Sequence, residues 1–284
     1  MKRLFFVLLF SLVALLSNAQ NGLNLNLFLG TSNYSGDLQD KRFTFSQAHL
    51  AGGIGLSYDI TNHLSVRTAF KIGKISADDK LGKNKARNLN FSSGLTEGDL
   101  DVQYLITPLG EHVLTPYVFA GVAVYHYDPY TFDSSGRKYY LKTLSTEGEG
   151  FIPGRKNYSL TEFSIPFGAG VKMPLSENIN VGFEIGYRKL FTDYLDDVST
   201  TYVDPNLLLV NRGAKAVELS YRGGELKTGS TVYPVGGQRG NPSSKDQYYF
   251  TGLTLSFRLG NSLFGNGGGG SGKNSEWNCP KNVL

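Results

Sequence analysis

The chain has one cysteine, Cys279, in 284 residues. No internal disulfide can form, and because no cysteine lies near the N-terminus the chain does not read as a lipoprotein. Long apolar runs are equally scarce. Apart from Leu4–Leu16, no window approaches the roughly 20 apolar residues that a spanning helix needs, and mean hydropathy is −0.21. Charge of one sign does not accumulate. The formal balance is +4 with no basic run interleaved with aromatics, so no nucleic-acid partner is implied. There are four histidines, and no Gly-x-Ser-x-Gly elbow or comparable nucleophile motif occurs. The chain therefore reads as non-catalytic, with no cofactor and no metal. What is abundant is glycine (35), phenylalanine (18) and tyrosine (17), a composition that suits strands with tight interior packing and aromatic girdles.

The N-terminus carries a compartment signal. Lys2 and Arg3 precede the apolar run, and Ser17-Asn18-Ala19-Gln20 follows it. A positive segment, a short apolar segment and a small-residue site make a secretory signal, with cleavage expected after Ala19. A membrane protein without a helical span must be a closed barrel, because open sheet edges find no hydrogen-bond partners in lipid. The expected division is a signal peptide at 1–19, an outer-membrane barrel at 20–260 and a Gly-rich periplasmic tail at 261–284.

Ser159–Phe191 is the stretch around which the rest is organised. Phe163, Ile165, Phe167, Ala169, Val171 and Met173 share one parity, while Glu162, Ser164, Gly168, Gly170 and Lys172 share the other. After the link Pro174–Asn178, Ile179, Val181, Phe183, Ile185 and Tyr187 oppose Asn180, Gly182, Glu184, Gly186 and Arg188. Alternate side chains of a strand point to opposite faces, so each arm has an apolar face and a small-or-charged face. Arms this long suit tilted strands that cross a bilayer in about 9–11 residues.

Six further strands are expected near Leu23–Leu29, Gln47–Asp59, His63–Ile75, Asn88–Ile106, Val113–Tyr127 and Gln247–Leu259. Five follow the same rule; in the one at Val113–Tyr127 both faces are apolar or aromatic, so its orientation cannot be read. In the fourth, Leu89, Phe91 and Leu95 are odd whereas Leu100, Val102, Tyr104 and Ile106 are even, which predicts a β-bulge near Gly94–Gly98. Connections after strands one, three, five and seven are long, and those after two, four and six are short. The expected fold is an all-β, eight-stranded antiparallel transmembrane β-barrel. It has long outer loops, short periplasmic turns, a flexible periplasmic tail and both termini in the periplasm.

The inward parity collects Arg67, Lys71, Lys172, Arg188 and Arg258 against Asp99, Asp101, Glu162 and Glu184. Eight strands enclose only enough room for their own side chains, and buried charges must be paired. These residues are therefore expected to form an ionic plug with no conducting lumen. Two chemical alternatives are weaker. Asp193, Asp196 and Asp197, with Asp204 nearby, match no Ca²⁺ loop spacing and read as a solvated or strand-capping turn. His126, between Tyr125 and Tyr127, reads as part of an aromatic belt rather than as the base of a lipid-modifying hydrolase.

The last segment differs in kind. Gly265–Gly272 is glycine and serine, and Trp277-Asn278-Cys279-Pro280 follows. An aromatic anchor and a sole cysteine in an oxidising compartment invite a protein partner.

Three stretches carry a resemblance. Asn33–Gln39 (NYSGDLQ), Leu114–Pro129 (LTPYVFAGVAVYHYDP), and Pro166–Lys172 with Glu184–Asp204, together with the terminal Cys-Pro, resemble the PorG-like outer-membrane barrels of the type IX secretion system. FTDYLDDVS is the most specific part. The resemblance implies a non-catalytic barrel in contact with outer-membrane lipid. It implies association with the periplasmic ring built by a PorK/GldK-like lipoprotein and a PorN/GldN-like protein, with Trp277, Cys279 and Pro280 as expected partner-binding residues. The alternative class is a surface-exposed barrel with a ligand-binding or lipid-modifying role in its outer loops.

Overall fold

Period-two alternation becomes eight long strands and one small hairpin. The computed structural model describes residues 22–39, 44, 46–227 and 229–259; the expected signal peptide and the tail with Trp277, Cys279 and Pro280 lie outside them. The strands are β1 (Leu23–Ser35), β2 (His49–Asp59), β3 (Leu64–Asp78), β4 (Asn90–Leu105), β5 (Thr115–Tyr127), β6 (Tyr130–Phe132), β7 (Lys138–Tyr140), β8 (Thr161–Ser176), β9 (Ile179–Leu190) and β10 (Gln247–Arg258). The long strands are neighbours in the order β3-β2-β1-β10-β9-β8-β5-β4, and β4 pairs back with β3 from Leu64↔Tyr104 to Asp78↔Asn90. That last pairing closes the ring of eight long strands and leaves none of them with an open edge, as a lipid environment requires. β6 and β7 form a hairpin between β5 and β8 and touch the barrel through Ser92↔Tyr130.

The outer surface is apolar to a degree that water would not tolerate. Leu29 is 62% exposed, Leu50 76%, Phe163 67% and Leu253 57%, and all belong to the parity read as outward. Such a continuous exposed apolar band is a membrane belt. The chain is a transmembrane barrel, with a turn end and a loop end.

Two local expectations fail. No bulge interrupts β4: its burial alternates along the whole strand and its register with β3 is continuous. Phe91 and Leu95 do not switch faces. They point inward beside Glu97, Asp99 and Asp101, and it is the interior that changes, from ionic in the middle to apolar toward the loops. The link after β8 is also shorter than expected. Pro174 and Leu175 belong to the strand, which runs to Ser176 with a register shift between Pro174 and Ser176, leaving Glu177 and Asn178 as the turn.

The connections at the loop end are folded. Residues 128–160 hold the small hairpin and α1 (Leu141–Leu144), and residues 191–246 hold α2 (Pro205–Arg212) and α3 (Ala214–Ser220). Asp204 caps α2 by accepting from Asn206 N at 2.8 Å, with Pro205 opening the helix. Leu195, Val198 and Tyr158 extend the core of Tyr34, Phe91, Tyr127 and Phe250 from the barrel up into these loops.

Candidate functional site

The inward parity concentrates charge in the lumen, and the strands bring that charge together in layers. On the turn side, Arg67 grips Asp101 with two bonds, Nε to Oδ1 at 2.8 Å and Nη2 to Oδ2 at 3.0 Å. Its Nη1 donates to Glu184 Oε2 at 2.6 Å, and the Tyr117 hydroxyl donates to the same oxygen at 2.9 Å. The guanidinium lies 4.6 Å from the centre of the Phe119 ring, a cation–π contact inside the barrel.

One layer toward the loops, Arg188 Nη2 donates to Glu97 Oε1 at 2.6 Å, and the Tyr248 hydroxyl donates to Glu97 Oε2 at 2.6 Å. Lys71 pairs with Asp99 and stands 3.9 Å from Glu97. Arg188 and Glu97 are both fully buried. Inward glycines make the room. A Cβ at Gly186 would stand 2.6 Å from Arg188 Nη1 and 2.8 Å from the Phe119 ring, and one at Gly170 would stand 2.4 Å from the Tyr117 ring.

Of the expected network, Arg67, Lys71, Asp99, Asp101, Glu184 and Arg188 are ion-paired in two sets, Arg67 with Asp101 and Glu184, and Lys71 and Arg188 with Asp99. The other three are not members. Lys172 points inward but bonds a neutral group, Gln103 Oε1, at 2.9 Å, and rests 5.1 Å from the centre of the Tyr117 ring. Arg258 sits half-exposed at the turn-end rim, 4.0 Å from Asp59. Glu162 lies at the loop end of β8, half-buried, away from the cations. The reason is height: all three share the inward parity but stand above or below the ionic layers. Glu97 is the member that sequence reading missed. A single register for β4, continued from Asp99 and Asp101, finds it.

Lys172 and Arg258 instead line a polar recess of about 470 Å³ at the turn end, with Asn24, Ser57, Gln103 and Ser256.

At the loop end a second ionic system caps the barrel. Arg239 donates to Glu147 Oε1 at 3.0 Å and to the Asp197 carbonyl. Glu147 also accepts from Ser199 N at 2.9 Å and Thr200 N at 2.8 Å. Asp193, Asp196 and Asp197 are not solvated; all three are buried. Asp197 accepts from the Tyr158 hydroxyl at 2.7 Å, and Asp193 accepts from Ser199 Oγ at 2.8 Å. Their function is to satisfy loop hydroxyls and N–H groups that the cap takes from water. Burial pushes Asp193 up to about 7 and Asp197 to about 6, the latter against the pull of Arg239. Glu149 is pushed to about 8 by burial and then by Asp197 and Glu147. His126 is exposed at the rim and bonds Thr161 Oγ1 at 2.9 Å, whereas Tyr125 and Tyr127, expected beside it in an aromatic belt, are buried in the barrel core because they hold the opposite parity.

These features define a membrane-spanning eight-stranded barrel with an ion-paired interior and a folded cap. Residues 2–205 match the family described as "Domain of unknown function (DUF6089)", and the chain belongs to that family. No curated protein matches the chain. Among solved structures, it is similar to Ail, the attachment invasion locus protein of Yersinia pestis, at 8% identity, covering 84% of this chain and 98% of that one with a TM-score of 0.40. Neisserial surface protein A is similar at 10% identity, with 84% and 97% covered and a TM-score of 0.41. OprG from Pseudomonas aeruginosa stands at 11% identity, with 85% and 99% covered and a TM-score of 0.38. Likenesses at this level carry nothing about function.

Proposed function

We propose that this chain is a non-catalytic outer-membrane barrel that anchors or organises the periplasmic ring of the type IX secretion (gliding) machinery. In this reading the short turns and both termini face the periplasm, and the capped loop end faces outward. The observation that supports it is the filled lumen. A barrel whose middle is occupied by Arg67, Glu184, Arg188 and Glu97 passes no solute, so its work is done at its ends. At the turn end the chain leaves β10 after Arg258 and continues into the Gly-rich segment with Trp277 and Cys279. A Gly-rich coil of about 19 residues, the length of Gly260–Asn278, reaches roughly 22–26 Å. That is far enough for Trp277 to dock on a protein beneath the membrane. Cys279 would then form a mixed disulfide with a cysteine of the PorK/GldK-like lipoprotein, under periplasmic oxidation.

The test is co-purification from outer membranes. Ring proteins are expected to accompany the barrel. Non-reducing gels are expected to show a heavier band that collapses on reduction and is absent in Cys279→Ser. Undiminished recovery of ring proteins after deletion of residues 265–284 would remove the tail from the reading. Absence of ring proteins from the wild-type preparation would overturn the assembly itself.

A further inference from the structure

The geometry points to a shared proton between Asp196 and Asp246, held by Tyr34, that latches the 191–246 loop onto the barrel seam and is released at alkaline pH. Tyr34 Oη lies 2.6 Å from Asp196 Oδ2 and 2.9 Å from Asp246 Oδ1. The other oxygen of each carboxyl group is already engaged, Asp196 Oδ1 by Val198 N and Asp246 Oδ2 by Leu195 N, each at 2.9 Å. A phenol carries one proton. It can donate to one carboxylate, and the second contact is then oxygen lone pair against oxygen lone pair unless that carboxyl group carries a proton of its own. With that proton the chain of bonds is complete: one carboxylic acid donates to Tyr34 Oη, and Tyr34 donates to the other, ionised carboxylate. Without it, two anions share one donor at full burial, where unpaired charge is most costly.

The surroundings favour retention of the proton. Tyr34, Asp196 and Asp246 are each no more than 1% exposed. Facing them are the Asp37 carboxylate from the β1–β2 loop, Asp193 on the same loop as Asp196, and the Tyr125 and Tyr127 phenols from β5. The Arg87 guanidinium from the β3–β4 loop is the nearby cation, and it is committed to Asp79 at 2.7 Å by two nitrogens. Burial, then the neighbouring carboxylates, raise both aspartates well above the usual range.

The location gives the proton a mechanical consequence. Tyr34 stands opposite Tyr248 where the first and last strands, β1 and β10, pair; Asp196 lies near the start of the 191–246 loop, and Asp246 ends it. The Leu195–Asp246 bond ties the two ends of that loop together at its base. When the shared proton is lost to solvent, the two carboxylates repel across the phenol and the base of the loop opens.

Two measurements on the full chain in lipid nanodiscs test this. The infrared spectrum of the wild type near neutral pH should contain a buried carboxylic-acid band that is missing from Asp196→Asn and from Asp246→Asn. In either variant the amide donates to Tyr34 Oη in place of the acid, so the bonds survive and no proton is needed. Hydrogen exchange of residues 191–246, corrected for its intrinsic pH dependence, should accelerate at least about tenfold in the wild type between about pH 5 and about pH 9. The variants should lose markedly less protection than the wild type at the alkaline end, the remaining loss belonging to Asp193 and Asp197, and this also shows that they are folded. A wild-type spectrum identical to that of both variants overturns the shared proton. Loop exchange with the same pH profile in all three proteins, or flat in the wild type, overturns the latch.

Discussion

Arg188 and Glu97 meet in the middle of the barrel, Nη2 2.6 Å from Oε1, with no solvent exposure on either side chain. Glu97 also receives the Tyr248 hydroxyl and lies 3.9 Å from Lys71. Removing one partner of such a pair strands the other, which costs about 3–5 kcal/mol, whereas replacing both by apolar groups often costs little. Glu97→Leu should therefore destabilise the barrel by about that amount in urea unfolding from micelles. The double variant Arg188→Met with Glu97→Leu should lose less than the single. A single variant as stable as the wild type would mean that the pair is not what holds these strands in register.

The same filled interior predicts electrical silence. Arg67, Lys71 and Arg188 face Glu97, Asp99, Asp101 and Glu184, and Phe119 and Tyr117 pack against Arg67 and Glu184. Reconstituted in planar bilayers, the protein should give no stable conductance steps. Reproducible ohmic channels would contradict a plugged lumen.

Glycine substitutions should separate the two faces. A Cβ at Gly168 would come within 2.2 Å of the Ile185 carbonyl and 2.7 Å of the Phe119 ring, whereas one at Gly98 on the lipid face meets nothing within 4 Å. Gly168→Ala should cost about 1–3 kcal/mol by overpacking, and Gly98→Ala should stay within about 0.5 kcal/mol of the wild type. Equal costs would mean that the inward face is less tightly filled than these distances require.

The cap should weaken as pH rises. Glu149 has an ordinary value of 4.5 and is held at about 8 in the fold, with Oε1 buried and unpartnered. A carboxyl group whose folded value is raised contributes its full stability below the ordinary value and loses it as pH climbs to the folded one. The slope between about pH 4.5 and about pH 8 is therefore downward, about 1.4 kcal/mol per pH unit for one proton. Glu149→Gln should flatten that part of the profile when cap opening is followed by hydrogen exchange of residues 145–160. An unchanged slope would assign the pH dependence to Asp193 and Asp197 instead.

Period-two alternation made most of this architecture legible, because inside and outside differ in chemistry along most strands. Phe163, Ile165 and Phe167 against Glu162 and Ser164 is readable without coordinates. It became unreadable where the interior itself turned apolar. Phe91 and Leu95 look like lipid-facing residues, yet they face a core of Tyr34, Ile75 and Tyr127. Reading them as outward forced a bulge and hid Glu97. The cap was illegible for a different reason. Asp193, Asp196 and Asp197 are polar residues in a long polar loop, and their burial depends on Arg239, Glu147, Tyr34 and Tyr158 arriving from elsewhere in the chain. No local spacing encodes that. Height was the remaining gap, since parity tells which way Glu162, Lys172 and Arg258 point but not whether a counter-ion stands at the same level.

The orientation of the barrel is open to a direct test. Connections 60–63, 106–114 and 177–178 lie at one end and the folded connections, with the cap, at the other. The two ends meet different solvents, and long segments are expected on the outside of the cell and short turns in the periplasm. Ser134 is exposed in the β6–β7 hairpin at the loop end, and Asn178 is exposed in the two-residue turn at the other. In a Cys279→Ser background, an impermeant thiol reagent applied to intact cells should label a cysteine placed at Ser134 and leave one at Asn178 unlabelled. Both should react once the cells are broken, which establishes that each site is accessible in the folded protein. Labelling at Asn178 alone in intact cells would invert the topology. It would put the C-terminal segment outside the cell, where no periplasmic ring could be reached.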